Sequence, residues 1–356
     1  MKINREELIR KLESVQPGLA TRETVEQSNC LVFYHGSVHA FNDELYCCCP
    51  SGLDPKAKAA VPAAKLLEQL GKWNEDEIDL NFGDAELLIS GKGQKAGVRL
   101  EKEIALPIKS IEKPTEWKTL PSAFAEAVGI VGQCAARQHE DFKKMCVNLH
   151  PKWVEAWDNH QIARYELKTG LKAPVLVRQQ SIQHVVTLGM TKFAETDGWL
   201  HFKNPNGLQL SCRRYVDEFP SDELTKYLTV TNPTKTQLPK GLAEAADKAA
   251  VFTAEADANL VRVKLKTNRA WIKGVGVSGW YERGPMRVVY DGPRLEFLIA
   301  PKLLGEIVTK YPEVGIVSDR MSINGGGVWT MCCYLAPVEE ESSSNGQVEA
   351  AVVVEG

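Results

Sequence analysis

The chain has 356 residues, of which 43 are basic and 46 are acidic, and its formal net charge is −3. At roughly 100–200 residues per domain, this length predicts two or three domains with ordinary hydrophobic cores. The balance of charge excludes a protein that is basic over its whole surface, so any contact with nucleic acid has to come from a local patch. The charged N-terminus has no apolar signal core, and no apolar run reaches transmembrane length, which predicts a cytoplasmic protein.

The nine cysteines are an odd number, and five of them stand in the runs 47–49 and 332–333. Neighbouring side chains on a strand point to opposite faces, so adjacent cysteines cannot all pair with one another or bind one ion. No C-x-x-C spacing occurs. The pattern predicts reduced cysteines that pack as small hydrophobic residues.

The first third of the chain begins with a predicted amphipathic helix over residues 4–15. Asn4 is its expected N-cap, Glu7 completes a capping box, and Ile3 is placed to contact Leu8 as a hydrophobic staple. A second amphipathic helix is predicted over residues 61–70. Alternating apolar and polar residues predict strands at 30–34, 38–42, 86–90 and 98–100, with a turn over 91–97 between the last two.

The remaining two thirds repeat this order of elements. Helices are predicted over 121–137 and 177–186 in the second third, and over 239–252 and 299–308 in the last third. Strands are predicted at 152–158, 199–203, 208–210, 261–265, 269–273, 320–324 and 328–331. Each third therefore consists of helix, strands, helix, strands.

The similarity between the thirds is a repeat of long period. Copies of the second helix start at Val61, Val177 and Ile299, which are 116 and 122 residues apart. A repeat of this length indicates the architecture of the whole chain more strongly than any single residue does. The segments 109–119 and 229–237 are predicted linkers, which gives domains at 1–116, 117–235 and 236–338. The acidic, serine-rich tail at 339–356 cannot bury enough apolar surface to fold and is predicted to be disordered.

The sequence lacks the common catalytic motifs. G-x-S-x-G, the P-loop and H-E-x-x-H are absent, and the glycines between Gly91 and Gly97 do not match G-x-G-x-x-G. His35 and His39 stand four apart on a predicted strand with Asp43 beyond, a spacing that could bind a metal, although no fourth ligand lies nearby. His150 and His160 are expected in turns. An enzyme with its site between domains, around His35 and His39, therefore remains an alternative.

Several segments together give the chain a resemblance to a known family, the bacterial DNA polymerase sliding clamp or DNA polymerase III beta subunit. The family has a V-P-A-R-K segment where this chain has the helix beginning at Val61, and commonly D-G-H-R-L where this chain has residues 158–162, DNHQI. Residues 218–220 precede the second linker, and residues 334–338, YLAPV, stand in place of the family's terminal apolar segment. Asn159, Gln161 and the 18-residue tail depart from the family pattern.

The resemblance implies an α+β fold of three tandem DNA-clamp domains, each with two helices against antiparallel sheets. It also implies a head-to-tail homodimer that closes a ring of six domains, with helices lining the hole. The implied function is that of a processivity factor, a non-catalytic protein without cofactor or metal. It would encircle double-stranded DNA in the bacterial nucleoid or a phage-infected host cell, after opening by a clamp loader, and tether the DNA polymerase. A clamp-like protein that binds replication partners without encircling DNA remains a second alternative.

A sliding protein should hold phosphates electrostatically and should not read base edges, because base contacts would stop it. Cations on or near the polar sides of the predicted helices are therefore expected to face the DNA. These residues are Arg10, Lys11, Lys65, Arg137, Lys192, Lys248, Lys302 and Lys310.

The resemblance also implies two protein contacts. Partner peptides would bind a pocket between the second and third domains, formed by His160, Ile162, Pro220, Leu224, Leu303, Tyr334, Leu335, Pro337 and Val338. The dimer contact would join the strand with Val98 and Leu100 to the helix end with Val251 and Phe252 of the other chain. A glutamine ahead of apolar residues at 347–354 raises the hypothesis that the tail competes for the pocket.

Overall fold

The computed structural model describes residues 1–255 and 259–338. Within these residues the chain forms seven α-helices and antiparallel β-sheets. The helices are α1 (Arg5–Ser14), α2 (Ala63–Lys72), α3 (Phe124–Val131), α4 (Gln179–Ile182), α5 (Ser221–Leu228), α6 (Gly241–Thr253) and α7 (Pro301–Lys310).

The strands of the first half of the chain are β1 (Lys2–Asn4), β2 (Cys30–Tyr34), β3 (Ser37–Phe41), β4 (Leu45–Pro50), β5 (Ala59–Pro62), β6 (Glu77–Phe82), β7 (Glu86–Gly91), β8 (Gln94–Arg99), β9 (Lys118–Thr119), β10 (Cys146–Leu149), β11 (Trp153–Trp157), β12 (Gln161–Glu166) and β13 (Val175–Arg178). Those of the second half are β14 (Lys192–Glu195), β15 (Trp199–Lys203), β16 (Gln209–Arg213), β17 (Thr234–Gln237), β18 (Val261–Lys266), β19 (Arg269–Gly276), β20 (Gly279–Arg287), β21 (Leu295–Ile299), β22 (Glu313–Ile316), β23 (Arg320–Gly325), β24 (Trp329–Tyr334) and β25 (Ala336–Pro337).

The chain divides into two compact units. Unit 1 comprises Met1–Thr229 and Asn324–Met331, and unit 2 comprises the described residues of Val230–Ile323 together with residues 332–338. Unit 2 begins inside the predicted linker at 229–237. The predicted boundaries at 116 and 235 stay predictions.

Unit 1 contains three sets of antiparallel strands. The first sheet has the order β1-β6-β7-β8, and the second has the order β5-β2-β3-β4-β16-β15-β14-β9. The third set runs β13-β10-β11-β12 and continues into β24, whose first residues belong to this unit. In unit 2 the order is β20-β19-β18-β21-β25, and β17, β22 and β23 pair in a separate set.

Each helix that packs on a sheet does so with its apolar stripe. In α1 the stripe is Leu8 and Leu12, and in α2 it is Leu66 and Leu70, all of which are buried. The N-cap of α1 is confirmed, because the Glu7 N–H donates to Asn4 Oδ1 at 2.9 Å. The carboxylate of Glu7 instead contacts Lys11 Nζ at 2.8 Å, so the reciprocal half of the predicted capping box is wrong.

The repeated segments begin on strands rather than on helices, which corrects the predicted helix starts. Val61, Val177 and Ile299 lie in β5, β13 and β21, and the helices start two residues later. The second copy forms only the four-residue α4, followed by a 3-10 turn over Gln183–Val186. Its β-branched Val185 and Val186 favour helix less than the leucines of α2 do.

Two further predictions were too long. The helix predicted over 121–137 ends at Val131, where Gly132 starts a 3-10 turn, because glycine destabilises a continuing helix. The turn predicted over 91–97 is the two residues Lys92 and Gly93, and the strands continue on both sides. Gly93 has φ +80, which allows so tight a turn.

Candidate nucleic-acid interface

Three pairs of helices occur at corresponding places in the repeat. Helix α1 packs beside α2, α3 packs beside the 3-10 turn that follows α4, and α6 packs beside α7. Helix α3 also lies on β11 and β12, and α6 lies on β19 and β20. The long-period repeat in the sequence therefore corresponds to a repeated structural motif of two helices on a sheet.

The pair α1 and α2 carries three of the predicted DNA-facing cations. Arg10 and Lys65 are exposed, whereas Lys11 is half-buried along its stem. Lys65 Nζ lies 3.2 Å from Glu68 Oε2. Among the described residues, no carboxylate lies within ion-pair distance of Arg10.

The pair α6 and α7 carries three more of these cations, Lys248, Lys302 and Lys310, all exposed. Lys248 pairs with Glu244 at 2.8 Å and Lys310 with Glu306 at 3.8 Å, both at i,i+4 spacing. Within the part of the chain that the structure describes, Lys302 has no ion pair.

The remaining two predicted cations do not lie on helices. Arg137 lies in a bend beyond the 3-10 turn that ends α3, and Lys192 is the first residue of β14, paired with Thr119 and Lys203. The α3–α4 pair instead exposes glutamine side chains, those of Gln133, Gln180 and Gln183. The helical placement of Arg137 is wrong. Lys192 is predicted only near a helix, and the role of both residues toward DNA stays a prediction.

The intrahelical ion pairs shift the pKa values of their members without removing the cations from the surface. Hydrogen bonding from Lys11 holds the pKa of Glu7 below its ordinary value, and Lys72 and Lys65 do the same for Glu68. Glu244 raises the pKa of Lys248. Exposed pairs of this kind contribute little to stability, so the ammonium groups can exchange a carboxylate for a phosphate at little cost.

The residues of the predicted peptide pocket differ in exposure. In unit 1, Ile162 and Leu224 are buried, Pro220 is half-buried, and His160 is exposed in the turn before β12. In unit 2, Leu335 is buried, Leu303 and Val338 are half-buried, and Tyr334 and Pro337 are exposed. These residues remain a predicted pocket, and the tail hypothesis at 347–354 lies outside the described residues.

The residues predicted at the dimer contact fall into two groups. Val98 and Leu100 are buried within their own chain, whereas Val251 is 68% exposed and Phe252 is half-buried. Sequence reasoning missed that β8 and β20 are edge strands, each with one side unpaired by its own sheet. An edge strand presents free backbone N–H and C=O groups to another chain.

The histidines considered for a metal site have other contacts. His35 is a turn residue with φ 50, not a strand residue, which corrects its predicted placement. His39 lies on β3, with Nδ1 2.8 Å from the Tyr46 hydroxyl and Nε2 3.1 Å from the Tyr34 carbonyl oxygen. Within residues 1–255 and 259–338, no group of three or more His, Cys, Asp and Glu side chains is placed to hold a metal ion.

All nine cysteines are free thiols, and eight of them are buried. Burial raises the pKa of Cys146 to about 12 and that of Cys332 to about 11, so both remain protonated. In the described part of the chain, no helix is long and apolar enough to cross a membrane.

The sequence matches no protein-family model and no curated protein. Its structure is nevertheless similar to solved structures of one fold. It aligns with a DNA polymerase sliding clamp from Pseudomonas aeruginosa at 14% identity and TM-score 0.78, covering 95% of this chain and 99% of that one. The DNA polymerase III beta subunit from Thermotoga maritima aligns at 16% identity and TM-score 0.78, with the same coverage. The sliding clamp from Bacillus subtilis aligns at 13% identity and TM-score 0.75, again covering 95% of this chain and 99% of that one.

The protein is thus an α+β protein of repeated domains, with pairs of helices against antiparallel sheets. More narrowly, its fold is that of the bacterial DNA polymerase III beta sliding clamps. The fold expected from the resemblance is confirmed.

Proposed function

We propose that this protein is a DNA sliding clamp, a non-catalytic processivity factor that encircles duplex DNA and tethers the replicative polymerase. The observation that carries the proposal is the clamp fold over 95% of the chain. The cations on two of its repeated helix pairs support it. Because one fold can serve several functions, the cations on the helix faces are needed in addition to the fold to support this function.

The helix cations suit a contact that slides. Arg10, Lys65, Lys248 and Lys302 are exposed side chains on long flexible stems. The three lysines act as point charges toward phosphates, and the Arg10 guanidinium can bind a phosphate through two N–H groups, so none of these contacts needs a base edge. Binding should therefore be insensitive to sequence and fall steeply as salt rises.

The proposed ring requires two chains, because the family ring has six domains and the repeat supplies three. The free edge of β8 in one chain would pair with the free edge of β20 in the other. Such a contact is heterologous, and two copies of it close a ring. Val251 and Phe252, at the end of α6, would add an apolar side-chain contact beside this backbone pairing.

The proposed partners are the polymerase and the clamp loader, which would bind through short peptides. Half-buried and exposed apolar side chains such as Leu303, Tyr334 and Val338 suit an exchangeable peptide site. Leu303→Asp should abolish binding of a polymerase-derived clamp-binding peptide in isothermal titration. Unchanged peptide affinity in this variant would place the peptide site elsewhere.

The decisive experiment measures retention on DNA. The full chain is incubated with nicked circular DNA, a bacterial clamp loader and ATP, and the complex is separated by gel filtration. We expect the protein to co-elute with the circle and to be released when a restriction enzyme linearises it. Retention that survives linearisation, or is absent with every loader, would favour the clamp-like protein that does not encircle DNA.

The enzyme alternative makes a different prediction. An interdomain metalloenzyme around His35 and His39 would carry stoichiometric metal after purification, whereas a clamp needs none. Elemental analysis of the purified chain distinguishes the two. His39 is buried, and both of its ring nitrogens already have partners, the Tyr46 hydroxyl and the Tyr34 carbonyl oxygen.

A further inference from the structure

One face of the five-stranded sheet in unit 2 is strongly basic. On β18 the side chains of Arg262, Lys264 and Lys266 alternate with the buried Val261, Val263 and Leu265, so the three cations share the solvent face. The cross-strand register adds Arg269 and Lys273 of β19 to the same face. We call this surface the basic face.

The basic face has more positive than negative charge. Arg287 on β20 and Arg294 next to β21 extend it, and its two carboxylates are Glu282 and Glu296. Both carboxylates form ion pairs with cations of the same face. Arg262 Nε lies 2.9 Å from Glu296, and Lys273 Nζ lies 3.8 Å from Glu282. The whole chain has a net charge of −3, so this local excess of positive charge does not follow from its overall composition.

The cations are spaced along a line. Successive outward residues of a strand are about 7 Å apart, so Arg262, Lys264 and Lys266 form a row of regular charges. That spacing is similar to the distance between neighbouring phosphates in an extended nucleic-acid strand. Among the residues that the structure describes, Lys264, Lys266 and Arg269 have no ion pair and are available to an anion.

Two tryptophans lie among these cations. Lys264 and Lys266 lie 6.0 and 5.9 Å from the ring centre of Trp271, and Lys273 lies 5.5 Å from that of Trp280. Trp280 is 63% exposed, although exposing an indole to water is unfavourable. A shallow cavity of about 340 Å³ opens between Trp271 and the surrounding charges.

We propose that the basic face binds single-stranded DNA, with its cations along the phosphates and Trp280 stacked on unpaired bases. A positively charged surface combined with aromatic side chains is how sequence-tolerant single-strand binding is built. Duplex DNA fits less well, because its bases are already stacked and cannot reach the indole. An acidic peptide would use the cations but would gain nothing from an exposed Trp280. None of its residues is among the helix cations assigned to duplex DNA.

The test measures binding of a fluorescein-labelled oligothymidylate of about 20 nucleotides to the full chain by fluorescence anisotropy. Lys266→Glu combined with Arg269→Glu should weaken binding at least about tenfold and reduce its salt dependence. Trp280→Ala should weaken binding with little change in salt dependence, because it removes stacking and no charge. The matched control is Lys172→Glu with Lys235→Glu, two exposed lysines that are not part of the basic face, which should leave the affinity unchanged.

Three results would overturn the proposal. The first is that the control pair weakens oligothymidylate binding as much as the variants of the basic face do. The second is equal affinity for a duplex of the same length. The third is displacement of the oligothymidylate by polyglutamate at matched charge, which would make the face an acidic-peptide site. The proposal rests on the clamp function only for its biological setting. Failure of this face leaves retention on nicked circles intact, whereas failure of the clamp function leaves oligothymidylate binding intact.

Discussion

At the scale of single residues, the main feature is an ion pair that is buried, between Glu155 and Arg164. Arg164 donates through Nε and Nη2 to Glu155 Oε2, at 2.9 and 2.7 Å. The other carboxylate oxygen accepts from Trp153 Nε1, Asn148 Nδ2 and the Ser221 hydroxyl. Since Ser221 begins α5, this network fastens α5 to strands β10, β11 and β12.

Removing one partner of this pair should destabilise unit 1. Glu155→Gln leaves the Arg164 guanidinium buried without a counter-charge, and we expect a loss of about 3 kcal/mol in unfolding free energy. Urea denaturation followed by circular dichroism measures it. The double variant with Glu155→Met and Arg164→Met should recover part of the loss, because no unpaired charge remains. If the double variant lost as much free energy of unfolding as Glu155→Met and Arg164→Met do when added together, the two residues would not be coupled.

His201 makes a second prediction, about pH. Its side chain is fully buried, with Nδ1 2.8 Å from Ser211 Oγ and Nε2 3.0 Å from Thr196 Oγ1, and burial lowers its pKa to about 4. In the unfolded chain this residue binds a proton below pH ~6.5, whereas in the folded chain it does so only below pH about 4. The free energy of unfolding therefore falls as the pH falls from ~6.5 to about 4. The loss due to His201 should be about 2 kcal/mol between pH 7 and pH 5.

Urea unfolding at both pH values tests this expectation. His201→Gln should remove this part of the pH dependence, and His160→Gln, at an exposed histidine, should not. Equal slopes in all three proteins would show that His201 has the same pKa in the folded and the unfolded chain.

At the scale of elements, the unpaired edges of β8 and β20 matter most. In the two-residue hairpin of β7 and β8, Gly91 pairs with Gln94, so every second residue from Lys95 onward directs its backbone groups away from β7. Lys95, Gly97 and Arg99 therefore present the free edge. Lys95 and Arg99 are also charged side chains on an edge, which is a common protection against unspecific pairing.

Proline at these positions should break the dimer without unfolding the hairpin. Lys95→Pro with Arg99→Pro removes two outward N–H donors, and the donors that pair with β7 stay. We expect the mass in solution, measured by light scattering, to shift from dimer to monomer. Lys95→Ala with Arg99→Ala keeps the backbone donors and should remain dimeric. If both variants remain dimeric at the same concentration, the chains meet through another surface.

At the scale of the whole molecule, duplex DNA binding should depend on a few cations and not on net charge. Arg10→Glu, Lys248→Glu and Lys302→Glu together reverse cations on α1, α6 and α7. We expect retention on nicked circular DNA to fall at least about tenfold with no change in dimer mass, because exposed charges contribute little to folding. Lys168→Glu, Lys172→Glu and Lys235→Glu make the same charge change elsewhere. Equal losses in both triple variants would mean that total charge, not the helix faces, controls binding.

The sequence alone established the period of the molecule and most of its elements. The apolar spacing at Leu8 and Leu12 identified α1, and Asn4 identified its start, because capping depends on residues close in sequence. The three related helix segments predicted the repeated motif that the helix pairs confirm. Local patterns of this kind need no knowledge of distant contacts.

Only the tertiary structure decided which residues act together. The sequence predicts Val98 as an interface residue, but its side chain is buried in its own chain. The free backbone edge of β8 follows from which strands pair in the sheet. Lys192 follows a predicted helix in the sequence, and in the structure it is a strand residue because β9 and β15 pair with it. The basic face brings cations of β18 and β19 together by cross-strand register, and Trp280 joins them from β20. Register depends on pairing between distant segments, so no local pattern in the sequence specifies it.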